Sequence, residues 1–298
     1  MTGEPTSERA APLGDRRRRL VLMAAKGALS LGAVYVLLFV FVNFADRLLL
    51  WPQRGRVPSH GAARLGLPFA GGELEVFTAR NRPSEEPRAF LLRFYGNADR
   101  ADPWVAHEAG AHRDSEPLEV WGVNYPGYGA SSGKATLAGV AGSALAAYDA
   151  LAARAAGRPI FLLGASMGTT AALHVAANRA VAGLVLENPP PLRRLIVAEH
   201  GAWNLWLLAM PVSWQVPREL DSVANAARAR APALFVTSGA DRLVPPYLQR
   251  EVIDAYAGEK RAFVVPGAGH SDGMSPDVAQ EVGAAFAELR RRVLAPPR

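Results

Sequence analysis

The stretch Arg158-Pro159-Ile160-Phe161-Leu162-Leu163-Gly164-Ala165-Ser166-Met167-Gly168-Thr169-Thr170-Ala171-Ala172-Leu173 constrains the fold more than any other part of the chain. A short apolar run leads into Gly-x-Ser-x-Gly, and an alanine-rich run of helical character follows. A strand that turns abruptly into a helix passes through a cramped backbone at the serine. A side chain at Gly164 or Gly168 would collide with the neighbouring strand or helix. The turn lifts the Ser166 hydroxyl clear of the sheet, near the positive end of the next helix, where backbone N–H groups are unpaired. Both features help a serine attack a carbonyl. In a chain with 28 glycines the five-residue string alone is weak evidence. A preceding strand and a following helix strengthen it, and a base and an acid downstream in the right order decide it.

Other apolar runs surround this one. Residues 89–95 read as a buried strand that stops at Gly96-Asn97-Ala98-Asp99, and residues 118–125 as the next. Residues 181–187, 233–237 and 261–265 supply three more strands. Residues 73–78 alternate polar and apolar, the pattern of a half-exposed outer strand, and a Pro/Gly/Arg-rich linker precedes them to about Gly66. A helix is expected over residues 102–111, with Asp102 as N-cap and Pro103 in its first position. Another is expected over residues 136–156. Strands alternating with helices predict an α/β fold, a mostly parallel sheet covered on both faces. The pattern breaks at about residues 189–217, where Trp203, Trp206 and Trp214 stand among aliphatic residues and prolines. That stretch reads as a small helical cap, open to either an acyl group or a bilayer.

The 298 residues carry 33 Lys and Arg against 27 Asp and Glu. Apart from the cluster Arg16–Arg19, the arginines are dispersed among acids. No basic stripe interleaved with aromatics appears, so no nucleic-acid partner is expected. The absence of cysteine excludes disulfides, thiolate catalysis and zinc–thiolate sites. Gly127-x-Gly129-x-x-x-Gly133 after a strand suggests a dinucleotide fingerprint, but it has one residue too many. No acidic residue closes the next strand either, so no nucleotide is expected. The histidines do not pair with carboxylates at helical spacing, and neither metal nor other cofactor is expected.

Residues 1–19 are polar, contain Pro5 and Pro12, end in the arginines and read as a disordered basic tail. Residues 20–45 are apolar except for Lys26, Ser30 and Asn43. At 1.5 Å per residue, the uncharged run after Lys26 reaches across a hydrocarbon core of about 30 Å, with Lys26 snorkelling to the surface. A single transmembrane helix is therefore expected here. A cleaved signal peptide fits less well, because Asn43-Phe44-Ala45 is a poor cleavage site. Arg16–Arg19 predict a cytoplasmic N-terminus with the catalytic domain, residues 46–298, on the extracytoplasmic side, although Arg47, Arg54 and Arg56 pull the other way. Trp51 suits the headgroup level.

Two loops complete a candidate active site. Thr237-Ser238-Gly239-Ala240-Asp241-Arg242-Leu243-Val244-Pro245 places a carboxylate after a strand. Pro266-Gly267-Ala268-Gly269-His270-Ser271-Asp272-Gly273 places an imidazole after the last strand. A free hydroxyl is a poor nucleophile, so His270 would take the proton of Ser166 and return it to the leaving group. Asp241 would fix the imidazole tautomer. The oxyanion needs two donors: the N–H of Met167, and the N–H of Asn97 in the loop after residues 89–95. Glu187 is a rival acid at the end of the preceding strand. His60, His107, His112, His174 and His200 are rival bases, better read as solvated or packed.

With these residues in place, residues 47–298 resemble the α/β-hydrolase superfamily. They are most similar to a membrane-anchored subgroup with one N-terminal transmembrane helix, a Leu-x-x-x-Pro-like stretch and a His-Gly-Asn-Ala oxyanion loop. Tyr95-Gly96-Asn97-Ala98 matches that loop with Tyr for His. Tyr125-Pro126-Gly127-Tyr128-Gly129-x-Ser131-x-Gly133 resembles Tyr-Arg-Gly-Tyr-Gly-x-Ser-x-Gly with Pro for Arg. The resemblance implies an esterase, thioesterase or lipase acting on a small ester or acyl substrate. An amidase or peptidase of the same fold and a catalytically silent binding scaffold remain alternatives. The Tyr95 and Pro126 departures bear on the support of the loops rather than on the triad.

Overall fold

The computed structural model describes residues 13–41 and 44–295. The chain divides into two compact units, Met1–Phe44 and Ala45–Arg298. The first unit carries helix α1 (Leu13–Phe41). Its stretch Arg16–Phe39 is long and apolar enough to cross a membrane by length and composition. The basic tail expected to end at residue 19 is corrected in part, because residues 13–19 are already helical. Arginine is a good helix former, and a helix already nucleated by the apolar run propagates into it at little cost. The rest of that expected tail, residues 1–12, and residues 42–43 of the expected transmembrane helix lie outside the described residues.

After α2 (Phe44–Leu49), the second unit runs β1 (Ala63–Phe69), β2 (Gly72–Arg80), β3 (Ala89–Phe94), α3 (Val105–Ala111), β4 (Leu118–Val123) and α4 (Leu137–Ala155). It continues with β5 (Ile160–Ala165), α5 (Met167–Asn178), β6 (Gly183–Glu187), α6 (Leu192–His200), α7 (Ala209–Gln215) and α8 (Ser222–Ala226). β7 (Ala233–Ser238), α9 (Pro246–Ala255), β8 (Lys260–Val265) and α10 (Pro276–Leu294) close it. The strands form one sheet in the order β1-β2-β4-β3-β5-β6-β7-β8. β2 runs antiparallel to β1 and β4, and the remaining pairs are parallel. Parallel strands covered on both faces read as continuous apolar runs. Leu91, Leu92, Phe94, Phe161, Leu162 and Phe235 are accordingly all fully buried.

Two expectations are corrected at the sheet edge. Residues 63–66, expected in a linker, belong to the edge strand β1, which is largely exposed. Main-chain pairing to β2 holds it, and a strand that buries little leaves little hydrophobic pattern to read. β2 therefore lies one strand inside the edge, with Leu74, Glu75, Val76 and Phe77 buried. A third correction concerns Asp102, which does not cap the helix. α3 begins at Val105 behind Trp104, without a side-chain cap. The Asp102 carboxylate is buried, ion-paired with Arg100 at 2.5 Å and accepting a hydrogen bond from the Asn124 amide at 2.9 Å. Charged and amide donors outbid a helix N–H for a buried carboxylate. By contrast α4 starts where expected, with the Thr136 hydroxyl accepting from the N–H of Gly139 at 2.9 Å.

From β3 the chain steps outward to β4, then returns past β3 to β5 on the other side. Such a reversal opens a crevice beyond the carboxyl ends of the two strands it separates, here β3 and β5. Residues 95–98 and Ser166 sit there.

α10 covers one face of the sheet through Val282, Ala285, Phe286 and Leu289, with the Phe286 ring edge-on to Phe161 at 5.6 Å. At its far end Arg290 pairs with Glu116 at 2.9 Å and meets His112 Nδ1 at 3.2 Å. A guanidinium has only donors, so this Nδ1 must be the unprotonated nitrogen of a neutral ring. Burial first, then the charge of Arg290, pushes His112 down to about 4. The unfolded ring titrates near 6.5. The contribution is therefore complete above pH 6.5 and is lost as pH falls toward 4, a change of about 3 kcal/mol. His112→Gln is expected to remove most of that loss. Urea melts of both proteins at pH 7.5 and pH 4.5 check this, and parallel losses in the two would refute it.

Candidate active site

β5 ends at Ala165 and α5 begins at Met167, so Ser166 alone makes the turn. Its backbone lies at φ 49 and ψ −122, a region that L-residues rarely occupy. The two flanking glycines make this turn possible. A Cβ on Gly164 would stand 2.9 Å from the Gly168 carbonyl oxygen. One on Gly168 would overlap the Phe94 carbonyl oxygen and lie 2.7 Å from that of Tyr95. The turn is pinned by the Ser166 N–H, which donates to the Glu187 carbonyl at 2.8 Å.

The acid and base loops arrive from β7 and β8. His270 Nε2 lies 2.9 Å from Ser166 Oγ, and His270 Nδ1 lies 2.7 Å from Asp241 Oδ2. The structure thus brings together Ser166, Asp241 and His270, whose positions span more than a hundred residues of sequence. Asp241 is buried, and its Oδ1 accepts from the N–H groups of Leu243 and Val244 at 2.9 and 2.8 Å. Its Oδ2 also accepts from the Gln249 side chain at 3.0 Å. An ionised carboxylate is an acceptor only, so the nitrogen facing it carries the imidazole proton. That leaves Nε2 with a lone pair for the Ser166 hydroxyl.

Two supporting residues escape a reading of the sequence. Gln249 reaches Asp241 from the first turns of α9. Asn188 follows Glu187 at φ 50 and donates from Nδ2 to Ser238 Oγ at 3.0 Å and to the His270 carbonyl at 3.3 Å. Asparagine tolerates the left-handed region, which is the one sequence signal for that role.

Glu187, the rival acid, is held by Arg93 at 3.2 Å, and Arg93 also pairs with Glu108 at 3.3 Å. Burial pushes Glu108 up to about 6 despite Arg93. Tyr95, standing where the resemblance expects His, donates its hydroxyl to Glu108 at 3.4 Å. Burial raises the Tyr95 hydroxyl well above its ordinary value, so it stays a neutral donor. Of the other histidines, His174 contacts Asn178, His112 meets Arg290, and His60, His107 and His200 are exposed.

Met167 opens α5, so its N–H has no acceptor within the helix. Gly96 abuts the turn, since a Cβ there would stand 3.6 Å from the Ser166 Cβ. The next residue, Asn97, is clamped by its side chain. Asn97 Oδ1 accepts from the Trp51 N–H and the Tyr128 hydroxyl, both at 2.9 Å, and Nδ2 donates to the Leu49 carbonyl at 2.5 Å. The Tyr125 hydroxyl donates to the Tyr95 carbonyl at 3.2 Å. The glycine-rich loop after β4 therefore braces the loop after β3. Gly129, at φ 56, is hemmed in by the Asn124 and Glu75 side chains. Among the described residues no group of three or more His, Asp or Glu side chains could hold a metal ion.

A sheet of this order with its elbow serine after β5 defines an α/β-hydrolase fold, and solved structures agree. The esterase Pf2001 of Pyrococcus furiosus superposes with a TM-score of 0.62 at 15% identity, covering 83% of this chain and 99% of that one. Est1E of Butyrivibrio proteoclasticus with bound ferulic acid gives 0.60 at 18%, covering 78% and 100%. A puromycin hydrolase gives 0.61 at 18%, covering 78% of this chain and 39% of that one. No family model matches the chain. The uncharacterized protein MT2364 of Mycobacterium tuberculosis (strain CDC 1551 / Oshkosh) is 32% identical over 235 residues, 76% of this chain and 80% of that protein. The uncharacterized protein Rv2307c of Mycobacterium tuberculosis (strain ATCC 25618 / H37Rv) is 28% identical over 246 residues, 80% of this chain and 84% of that protein. The chain belongs to the family of MT2364.

Proposed function

We propose that this chain is a membrane-anchored serine hydrolase that cleaves ester or thioester bonds of lipid-like or acylated substrates. The observation that carries the reading is the unbroken relay from Ser166 Oγ through His270 to the buried Asp241 carboxylate. Ser166 Oγ attacks the acyl carbon as its proton passes to His270 Nε2, and Asp241 steadies the imidazolium. The N–H groups of Met167 and Asn97 receive the negative charge on the carbonyl oxygen. As the tetrahedral centre collapses, the departing alcohol or thiol takes the proton from Nε2 and leaves an acyl group on Ser166. Water then attacks that ester by the same route, releasing the acid and restoring the hydroxyl. No cofactor takes part in these steps.

Apolar residues in the cap favour an acyl chain over a polar substrate, and α1 would hold the enzyme at a membrane. On this reading the N-terminus is cytoplasmic and the hydrolase domain extracytoplasmic.

A fluorophosphonate probe is expected to label the purified protein, and Ser166→Ala to abolish the adduct; labelling that survives the substitution would refute the nucleophile. p-Nitrophenyl esters from acetate to palmitate, run beside a p-nitroanilide, then read out the substrate. Faster turnover of medium and long acyl esters is expected, whereas cleavage of the anilide alone would make the enzyme an amidase. Protease added to intact cells should digest the hydrolase domain and spare the N-terminus. The reverse pattern would invert the orientation.

A further inference from the structure

We infer that the exposed apolar face formed by α7 with its connection from α6, and by α2 with the segment after it, lies on a lipid bilayer, an inference that rests on reading α1 as a membrane span. Trp203, Leu205 and Trp214 are 72%, 73% and 71% exposed. Single exposed apolar residues are ordinary, but clustered tryptophan and leucine mark a surface that meets something apolar. Leu205 and Trp206 are consecutive residues at φ 50 and 58, in the left-handed region that neither favours. Strain of that kind persists at functional segments.

Three observations select a bilayer as the occupant. The first is continuity of the chain. Ala45, the residue after the unit that contains α1, donates its N–H to Gln215 Oε1 at 3.0 Å, next in sequence to Trp214. That bond joins the stretch carrying Leu48 and Trp51 to the one carrying Trp214 within the second unit. The second is composition. Leu48 and Trp51 are 57% and 64% exposed and stand beside the exposed Arg47 and Arg54. Tryptophan interleaved with leucine and with snorkelling arginine suits the headgroup region. The third is the connection to the candidate site. The Trp51 N–H is bonded to Asn97, one residue from the Gly96 that abuts Ser166. A face seated on lipid through Trp51 would bring the crevice to the bilayer, so that an acyl ester enters from the membrane rather than from water.

The chain has no cysteine, so single substitutions accept one label each. Full-length Trp203→Cys, Trp214→Cys and Glu288→Cys, each carrying an NBD fluorophore, are reconstituted into vesicles of phosphatidylcholine and phosphatidylglycerol. Glu288 is an exposed position on α10, next to Leu289, which packs under the first residue of β6. Quenching by doxyl-labelled lipid is expected to be several-fold stronger at positions 203 and 214 than at 288, and quenching by aqueous iodide several-fold weaker. Equal iodide quenching at all three positions overturns the inference. Alkaline carbonate extraction reads the anchor separately. Resistance with equal iodide quenching keeps the span and discards the docked face, whereas release with doxyl quenching beforehand keeps the face and discards the span. Iodide protection at 203 without doxyl quenching, rising with protein density, means that a second copy covers the face and also overturns the inference.

Discussion

Ser166→Ala is expected to lower kcat on a p-nitrophenyl ester by about 10⁶-fold, and His270→Ala by a similar factor, with the double variant no worse than either. The reason is geometric. Ser166 Oγ and His270 Nε2 share one hydrogen bond of 2.9 Å, and neither does its work without the other. Once the hydroxyl is gone the imidazole has no proton to take, and on the proposed mechanism the N–H groups of Met167 and Asn97 supply what residual rate is left. Asp241→Asn should cost about 10⁴-fold, because an amide can donate to Nδ1 and turn the wrong tautomer toward the serine. That substitution also sets an NH₂ against the Leu243 and Val244 N–H groups or the Gln249 amide, so melting curves must accompany the kinetics. Rates for the double variant equal to the product of the two single losses would show independent action. Ser166→Ala within tenfold of the parent would leave the hydrolase reading without its nucleophile.

The central strands were legible because burial on both faces leaves a run of apolar residues, as in Phe161-Leu162-Leu163 and Leu91-Leu92. The turn at Ser166 was legible because close approach of backbones demands glycine at two fixed offsets. Positions 241 and 270 could be chosen because each lies just beyond an apolar strand, at the rim where a sheet of this topology gathers its loops. Less was visible where tertiary context decides. β1 buries little and so left no pattern, and Asp102 looked like a cap until Arg100 and Asn124 claimed its carboxylate. The bracing of Asn97 by the main chain of Leu49 and Trp51 and by the Tyr128 hydroxyl joins residues far apart in sequence, and main-chain partners carry no residue-specific signal. The supports of the triad, Asn188 and Gln249, were hidden for a related reason. Their amides could bond to many groups, and only the assembled sheet selects Ser238, the His270 carbonyl and Asp241.

Gly168→Ala is expected to destabilise the protein by about 3 kcal/mol, at the upper end of what overpacking costs. The added methyl would meet main chain rather than a movable side chain, overlapping the Phe94 carbonyl and standing 2.6 Å from its carbon. β3 is fully buried at that point and hydrogen-bonded to β5, so the strand cannot retreat without breaking its ladder. For a domain of this size the melting temperature should fall by about 6–12 °C. Gly283→Ala, in an open position on α10, is the matched control. It should raise stability by up to about 1 kcal/mol, because alanine is the better helix former. The activity of Gly168→Ala carries a second, separable expectation. Phe94 and Tyr95 lead straight into Gly96 and Asn97, so molecules that do fold will hold that loop displaced from Ser166. A shift of about 1 Å in a group that stabilises the transition state costs about 10²-fold, and here it should appear in kcat rather than in KM. A Gly168→Ala protein that melts with the Gly283→Ala control and turns over at the parent rate would mean that the helix need not press against β3. The close contact at the elbow would then have no bearing on either stability or the loop after β3.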